Sequence, residues 1–233
     1  MVLKTVLIVV AILLAIYLIV WMFSSKAFKI SGMQSGEKET IVAAADMPGN
    51  GSNNFTYSTW FFVKDWNYRY GESKSIIKTT NAQGDQLIGI DLAPNENNVN
   101  IQISCYGSNS RSNSFEMHNC VLRNVPIQRW VNLLVSVNGR TMDVYMNGKL
   151  TRTCVLPGVA RISATPTVHI TPNGGFSGYT SQTDYYGNST NPQEAYDIYR
   201  NGFGGGMIGS LLNKYKIKVS FLEDDIETGA FEI

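Results

Sequence analysis

Hydrophobic and polar positions sort the chain into three kinds of segment. Residues 5–23 read TVLIVVAILLAIYLIVWMF, nineteen residues without a charge. At about 1.5 Å of rise per residue, a helix of that length nearly crosses the ~30 Å hydrocarbon core of a bilayer. Thr5 opens the run. Tyr17, Trp21 and Phe23 gather toward its C-terminal end, where aromatic rings favour the membrane interface, and Lys26 and Lys29 follow. A cleaved signal peptide would have a shorter apolar region and small residues at its cleavage site. The Phe-Ser-Ser-Lys-Ala-Phe that follows is a poor site. Residues 1–26 therefore read as one uncleaved, single-pass membrane helix. The amino terminus and Lys4 on one side nearly balance Lys26 and Lys29 on the other, so its orientation stays open.

Residues 27–40 are polar and read as a linker. From 41 to 202 the chain becomes short alternating apolar runs punctuated by Asn and Gly, the pattern of strands and tight turns. The clearest portion is Trp130 to Val155, WVNLLVSV-NG-RTMDVYM-NG-KLTRTCV. Two-residue turns at Asn138-Gly139 and Asn147-Gly148 would pair Val137 with Arg140, Val135 with Met142 and Leu133 with Val144. Across the second turn they would pair Tyr145 with Leu150 and Asp143 with Arg152. One face of this meander then carries Val131, Leu133, Val135, Val137, Met142, Val144 and Met146. The other carries Asn132, Leu134, Ser136, Asp143, Tyr145, Arg152 and Cys154. An apolar sheet face demands a cover, so the expected fold is an all-β sandwich.

Further strands are predicted at 55–64, 75–79, 86–92, 99–105, 167–171, 175–186 and 214–222. One helix is predicted over 191–202, with Asn191 as N-cap, Pro192 in the first turn and Gly202 as the stop. Residues 203–233 read as a Gly-rich joint, a last strand and an acidic tail.

Composition narrows the function. Charged residues are 16% and aromatics 11% of the chain, which excludes wholesale disorder. Lys4 is the only charged side chain among the first 25 residues. Without it the remaining basic and acidic groups are equal in number. A neutral body lacks the electrostatic footprint that phosphate-backbone binding needs, so nucleic acid is not an expected partner. Three cysteines are too few for a disulfide-stapled miniprotein. Cys120 and Cys154 flank the meander and would reach each other if their strands were adjacent; all three thiols staying reduced is the alternative.

The run PIQRWVNLLVSVNGRTMDVYMNGKL resembles the laminin-G-like, concanavalin A-like jelly-roll domain, in which a Trp opens a strand that leads through a turn to Asp-x-Tyr-x-Asn-Gly. FSGYTSQTDYYGNSTNPQEAYDIYRNG and FTYSTWFFVKDWNY are similar to other parts of that domain, and the likeness covers about 41–202. More narrowly, RTCVLPGVARI, TPNGGFSGYT, NKYKIKVSFLED and the terminal FEI look like membrane-anchored minor capsid proteins of large cytoplasmic DNA viruses. That resemblance implies a non-enzymatic structural protein between an internal virion membrane and the capsid, with the bilayer and capsid or other virion proteins as partners.

Chemistry in the sequence is sparse. Some relatives of the fold cleave glycans with Glu-x-Asp-x-x-Glu on one strand, a spacing that sets acid and nucleophile on one face. No such triplet occurs here, and Asp143 stands alone opposite Arg152. His118 and Cys120 would share a strand face, but nothing supplies an activated thiolate or an orienting third group. Asp85, Asp91 and Glu96 are loop-proximal oxygen donors of the kind some laminin-G-like domains turn toward calcium, without the dense acidic loop such a site needs. No cofactor is expected. Trp66, Tyr68 and Tyr70 alternate in a loop and suit three uses: capping the sandwich, contacting a protein, or stacking on sugar. Together with Asp143, Tyr145 and Arg152 they are the candidate contact residues. The reading from another class is a membrane-displayed glycan-binding module; glycoside hydrolysis ranks third.

Overall fold

The structure is a computed structural model that describes Leu14, residues 27–43, 53–107 and 115–204, and the backbone of 218–223 and 226–232. Fifteen strands and one helix are described. In chain order they are β1 (Phe28–Ser31), β2 (Gln34–Ser35), β3 (Thr40–Val42), β4 (Phe55–Asp65), β5 (Lys74–Thr80), β6 (Gln86–Leu92), β7 (Val99–Tyr106) and β8 (Phe115–Leu122). There follow β9 (Trp130–Asn138), β10 (Thr141–Met146), β11 (Lys149–Val155), β12 (Thr167–Ile170), β13 (Ser177–Tyr186), helix α1 (Pro192–Arg200), β14 (Lys218–Glu223) and β15 (Ile226–Glu232). One antiparallel sheet runs β1-β13-β4-β9-β10-β11, with β2 also on β13, and the other runs β3-β12-β5-β6-β7-β8. β14 and β15 form a separate hairpin.

The two sheets bury their apolar faces against each other. Val131, Leu133, Val135, Val137, Met142 and Val144 from the first meet Ile88, Ile90, Leu92, Val99, Ile101 and Ile103 from the second, all within one core cluster. Each such side chain taken from water contributes about 1.5–3 kcal/mol. The predicted apolar face is thus the core face, although the predicted register is not the observed one. Met142 pairs with Val137 and Val144 with Val135, two residues away from the expectation. The turn centres on Gly139 and Arg140: Gly139 has φ +58°, and its N–H donates to Asn54 Oδ1 at 2.8 Å. A slip of two preserves the face of every side chain, whereas a slip of one would have inverted them.

The second hairpin departs by one residue, with larger effect. Asn147 (φ +52°) and Gly148 (φ +73°) make the expected turn, and Tyr145 pairs with Leu150. A bulge then leaves Thr151 unpaired, so Asp143 pairs with Thr153 and Val144 with Arg152. The expected Asp143–Arg152 pair is corrected: Thr153 Oγ1 donates to Asp143 Oδ1 at 2.6 Å, and Arg152 Nε donates to Cys154 Sγ at 3.3 Å. The inserted residue also turns Cys154 from the outer face, where the alternation placed it, into the core beside Cys120. Those two cysteines form a disulfide with Cα atoms 6.3 Å apart, tying β8 to β11 across the sandwich, while Cys105 is free and buried.

β8 itself was not among the predicted strands, because FEMHNCVL lacks a clean alternation. Residues 27–40, expected as a linker, supply β1 and β2, which pair with β13. The expected last strand is followed by β15 in the segment read as an acidic tail. Thr5, Tyr17, Trp21 and Phe23 lie outside the described residues, and among the described residues no helix is long and apolar enough to cross a membrane.

Helix α1 forms where its caps predict. Glu194 N–H donates to Asn191 Oδ1 (2.9 Å), and Asn191 N–H donates back to Glu194 Oε2 (3.1 Å). The helix covers the outer face of β9 and β10, enclosing Leu134 and Tyr145 beneath Ala195. In its last turn Tyr199 stacks on Trp60 (5.5 Å), and just past it Phe203 stacks on Trp130 (4.6 Å).

Two stability predictions follow from this frame. Replacing Cys120 and Cys154 together by Ser should lower unfolding free energy by about 3–4 kcal/mol in denaturant titration, the chain-entropy value for a loop of this size. Burial beside β1 pushes the Asp184 carboxyl up to about 6, with the Lys29 ammonium pulling it down. The folded chain therefore holds that proton more tightly than the unfolded one, and stability falls as pH rises from about 4 to about 6. Asp184→Asn should stabilise the protein by about 1–3 kcal/mol near pH 7, and the gain should vanish below about pH 4.

Candidate ligand-binding crevice

Four connections meet at one end of the sandwich: β4–β5, β6–β7, β8–β9 and β12–β13. Their backbones are tied to one another. Tyr68 Oη donates to Gly174 O at 3.0 Å, and Arg69, at φ +51°, donates to Asn173 O and to Glu72 Oε2 (2.7 Å). Gly71 N–H reaches Pro94 O at 3.2 Å. In the β6–β7 loop, Asn98 accepts from the Asn124 N–H (3.0 Å), and Val125 N–H donates to Asn97 O (2.7 Å). Gly175 is required as glycine: at φ +38° a Cβ would lie 2.1 Å from Gly36 O.

This scaffold encloses an open crevice of about 470 Å³ lined by Trp66, Asn95, Glu96, Asn97, Asn98, Asn124 and Ile127. Asn97 and Asn98 spend their amides on the loops, donating to Val125 O and Glu96 Oε2. Asn95, Glu96 and Asn124 are exposed at its wall. Trp66 is half-buried, and below it lies Lys74, only 1% exposed. Among the described residues the Lys74 Nζ has no hydrogen-bond partner, and it sits 4.7 Å from the centroid of the Trp66 ring. Burial depresses its basicity, with Arg69 adding to the effect and Glu72 opposing it. The ring is thereby held between a fixed cation and the open crevice.

The other candidate residues are placed elsewhere. Tyr68 pins its loop, and Tyr70 is 61% exposed. Asp143 and Tyr145 line a second crevice of about 470 Å³ on the outer face, with Asn138, Leu150, Ser189, Thr190, Asn191, Pro192 and Glu194. Tyr145 is buried there; burial pushes its phenol up and Asp143 adds to the shift. Glu194, across that crevice, is committed to the helix cap. Arg152 lines neither crevice. Of the three loop-proximal oxygen donors, Asp85 pairs with Asn81 and Arg161, Asp91 lies on β6 and Glu96 lines the loop-end crevice; no metal-binding cluster occurs among the described residues. The asparagines of the crevice went unselected in the sequence, although Asn95-Glu96-Asn97-Asn98 between two strands was the signal available.

A laminin-G-type family model, described as the concanavalin A-like lectin/glucanases superfamily, matches residues 35–195. The chain belongs to that superfamily. No curated protein matches it. Among solved structures, the receptor-binding domain of botulinum neurotoxin D is similar at 12% identity and a TM-score of 0.55, covering 77% of this chain and 48% of that one. The serotype D ligand-binding domain in complex with N-acetylneuraminic acid gives 13% and 0.55, covering 77% and 45%. The neurotoxin DC binding domain in complex with rat synaptotagmin II gives 15% and 0.50, covering 78% and 46%. The chain thus spans less than half the length of these domains, and the likeness is one of fold.

Lys74→Met should keep the fold and leave stability unchanged or raised, because an unpaired buried charge is exchanged for an apolar side chain of similar length. It should also release the Trp66 ring, read as a change in tryptophan emission that Trp66→Phe abolishes.

Proposed function

We propose that this protein is a non-enzymatic recognition module, held at a membrane by residues 5–23, that binds saccharide in the Trp66 crevice. The observation that carries the reading is the juxtaposition of a half-buried indole, fixed by Lys74, with the polar groups of Asn95, Glu96 and Asn124 on rigid loops. An aromatic face stacks on the C–H face of a pyranose, while carboxamides and a carboxylate supply the donors and acceptors that hydroxyls need. The superfamily description, which names lectins, supports this ligand class, as does the N-acetylneuraminic acid held by one structurally similar protein. A non-enzymatic role is supported by the second crevice: of its two carboxylates, Asp143 accepts from Thr153 and Glu194 from the helix cap.

A second reading keeps a protein partner: a membrane-anchored minor capsid component joining an internal virion membrane to the shell. The sequence resemblance of 152–162 and 171–180 to such proteins favours it, and Tyr70, 61% exposed on a pinned loop, is a suitable plug for a neighbouring protein. On either reading, confinement to a membrane surface raises the effective concentration for weak contacts.

Detergent-solubilised full-length chain should bind a subset of an immobilised glycan panel at millimolar or tighter affinity, and Trp66→Ala should weaken that binding about tenfold. Loss of no affinity in Trp66→Ala, or silence across the panel while cross-linking in assembled particles recovers shell protein, would shift the assignment to the second reading. Turnover of any bound polysaccharide would overturn the non-enzymatic role.

A further inference from the structure

A β-sandwich has sheet edges, and each edge strand presents unpaired backbone groups that natural proteins usually guard. The four edges here are treated differently. β1 is four residues with an irregular register, and β3 is three residues. β11 carries Lys149, Arg152 and the bulge at Thr151. Among the described residues, β8 has none of these guards. It pairs with β7 over eight consecutive residues, Val99↔Leu122 to Tyr106↔Phe115, without a shift, and holds no Lys, Arg or Pro. Phe115 and Met117 on its outer face are 45% and 47% exposed, beside Tyr106 at 43%.

The chemistry of β8 also selects an occupant. If a second copy paired antiparallel with β8 and both core faces stayed on the same side, partners would share parity, which restricts the register to a few choices. Centring the two-fold on Glu116 sets like charges opposite each other, which is destabilising. Centring it on His118 sets Met117 against Asn119 and His118 against itself. Centring it on Met117 sets Glu116 against His118 twice, Met117 against Met117, and Phe115 against Asn119: both pairs of ionisable groups are complementary and the apolar residue lies on the axis.

We infer that β8 is a self-association edge, through which two copies of this chain pair antiparallel with Met117 opposite its own symmetry mate, extending the six-stranded sheet across a dimer. The pairing is isologous, so it closes at two copies rather than growing into a fibre. With two chains held in one membrane, it would place two loop-end crevices on a single rigid body.

Full-length chain in detergent micelles tests this. Met117→Cys should form an intermolecular disulfide under mild oxidation, whereas Val121→Cys, on the same face but off the axis, should not. Sedimentation should show a dimer that Glu116→Lys weakens about three- to tenfold and that the double change Glu116→Lys, His118→Glu restores. A monomer at all accessible concentrations, or a dimer that cross-links as well through Val121→Cys as through Met117→Cys, overturns the inference. Normal circular dichroism and an intact Cys120–Cys154 bond in each variant separate lost pairing from lost folding.

Discussion

Everything in this molecule rests on the two-residue repeat of its strands. Successive side chains point to opposite faces, so two sheets closing over one apolar layer determine which residues are inside, which face the covering helix and which reach the loops. Most departures from simple alternation in the sandwich can be weighed by their parity. At Gly139 the register moved by two, and nothing changed sides. At Thr151 one residue was inserted, and Cys154 moved from the outer face to the core. The disulfide between β8 and β11 exists because of that single bulge.

The outer faces of the two sheets have different fates. Residues 187–204 fold back over the first sheet, where Thr56, Ser136 and Thr190 share hydroxyl hydrogen bonds and Trp60, Tyr199, Trp130 and Phe203 stack. This cover turns what the sequence presents as a mixed face into a second small core around Leu134 and Tyr145. Among the described residues no helix covers the second sheet, and on its edge strand β8 the side chains of Phe115 and Met117 are exposed. Function in this architecture is therefore expected at the places the core does not claim: the loop end and the unguarded edge.

The loop end illustrates how a binding surface is assembled from parts with no individual signature. Trp66 stands out in the sequence, but its setting comes from Lys74, eight residues later and across a loop, and from asparagines on two other connections. Lys74, 1% exposed and without a hydrogen-bond partner among the described residues, has the indole face and the nearby Glu72 carboxylate for compensation, so the cation helps to hold the ring in place.

The alternation of 130–155 by itself determined the meander and its buried face, since a sheet with valines and leucines on one side has few ways to hide them. Asn191, Pro192, Glu194 and Gly202 determined the helix, because capping chemistry is local. Only the tertiary structure decided the partnership of Cys120 with Cys154, the neighbour of Asp143, the strands within 27–42 and the convergence of Trp66 with Asn95 and Asn124. These depend on bulges, on long-range strand order and on loops brought together from separate sheets. Local patterns of residues do not encode such distances; they arise when two apolar faces close and carry the rest of the chain with them.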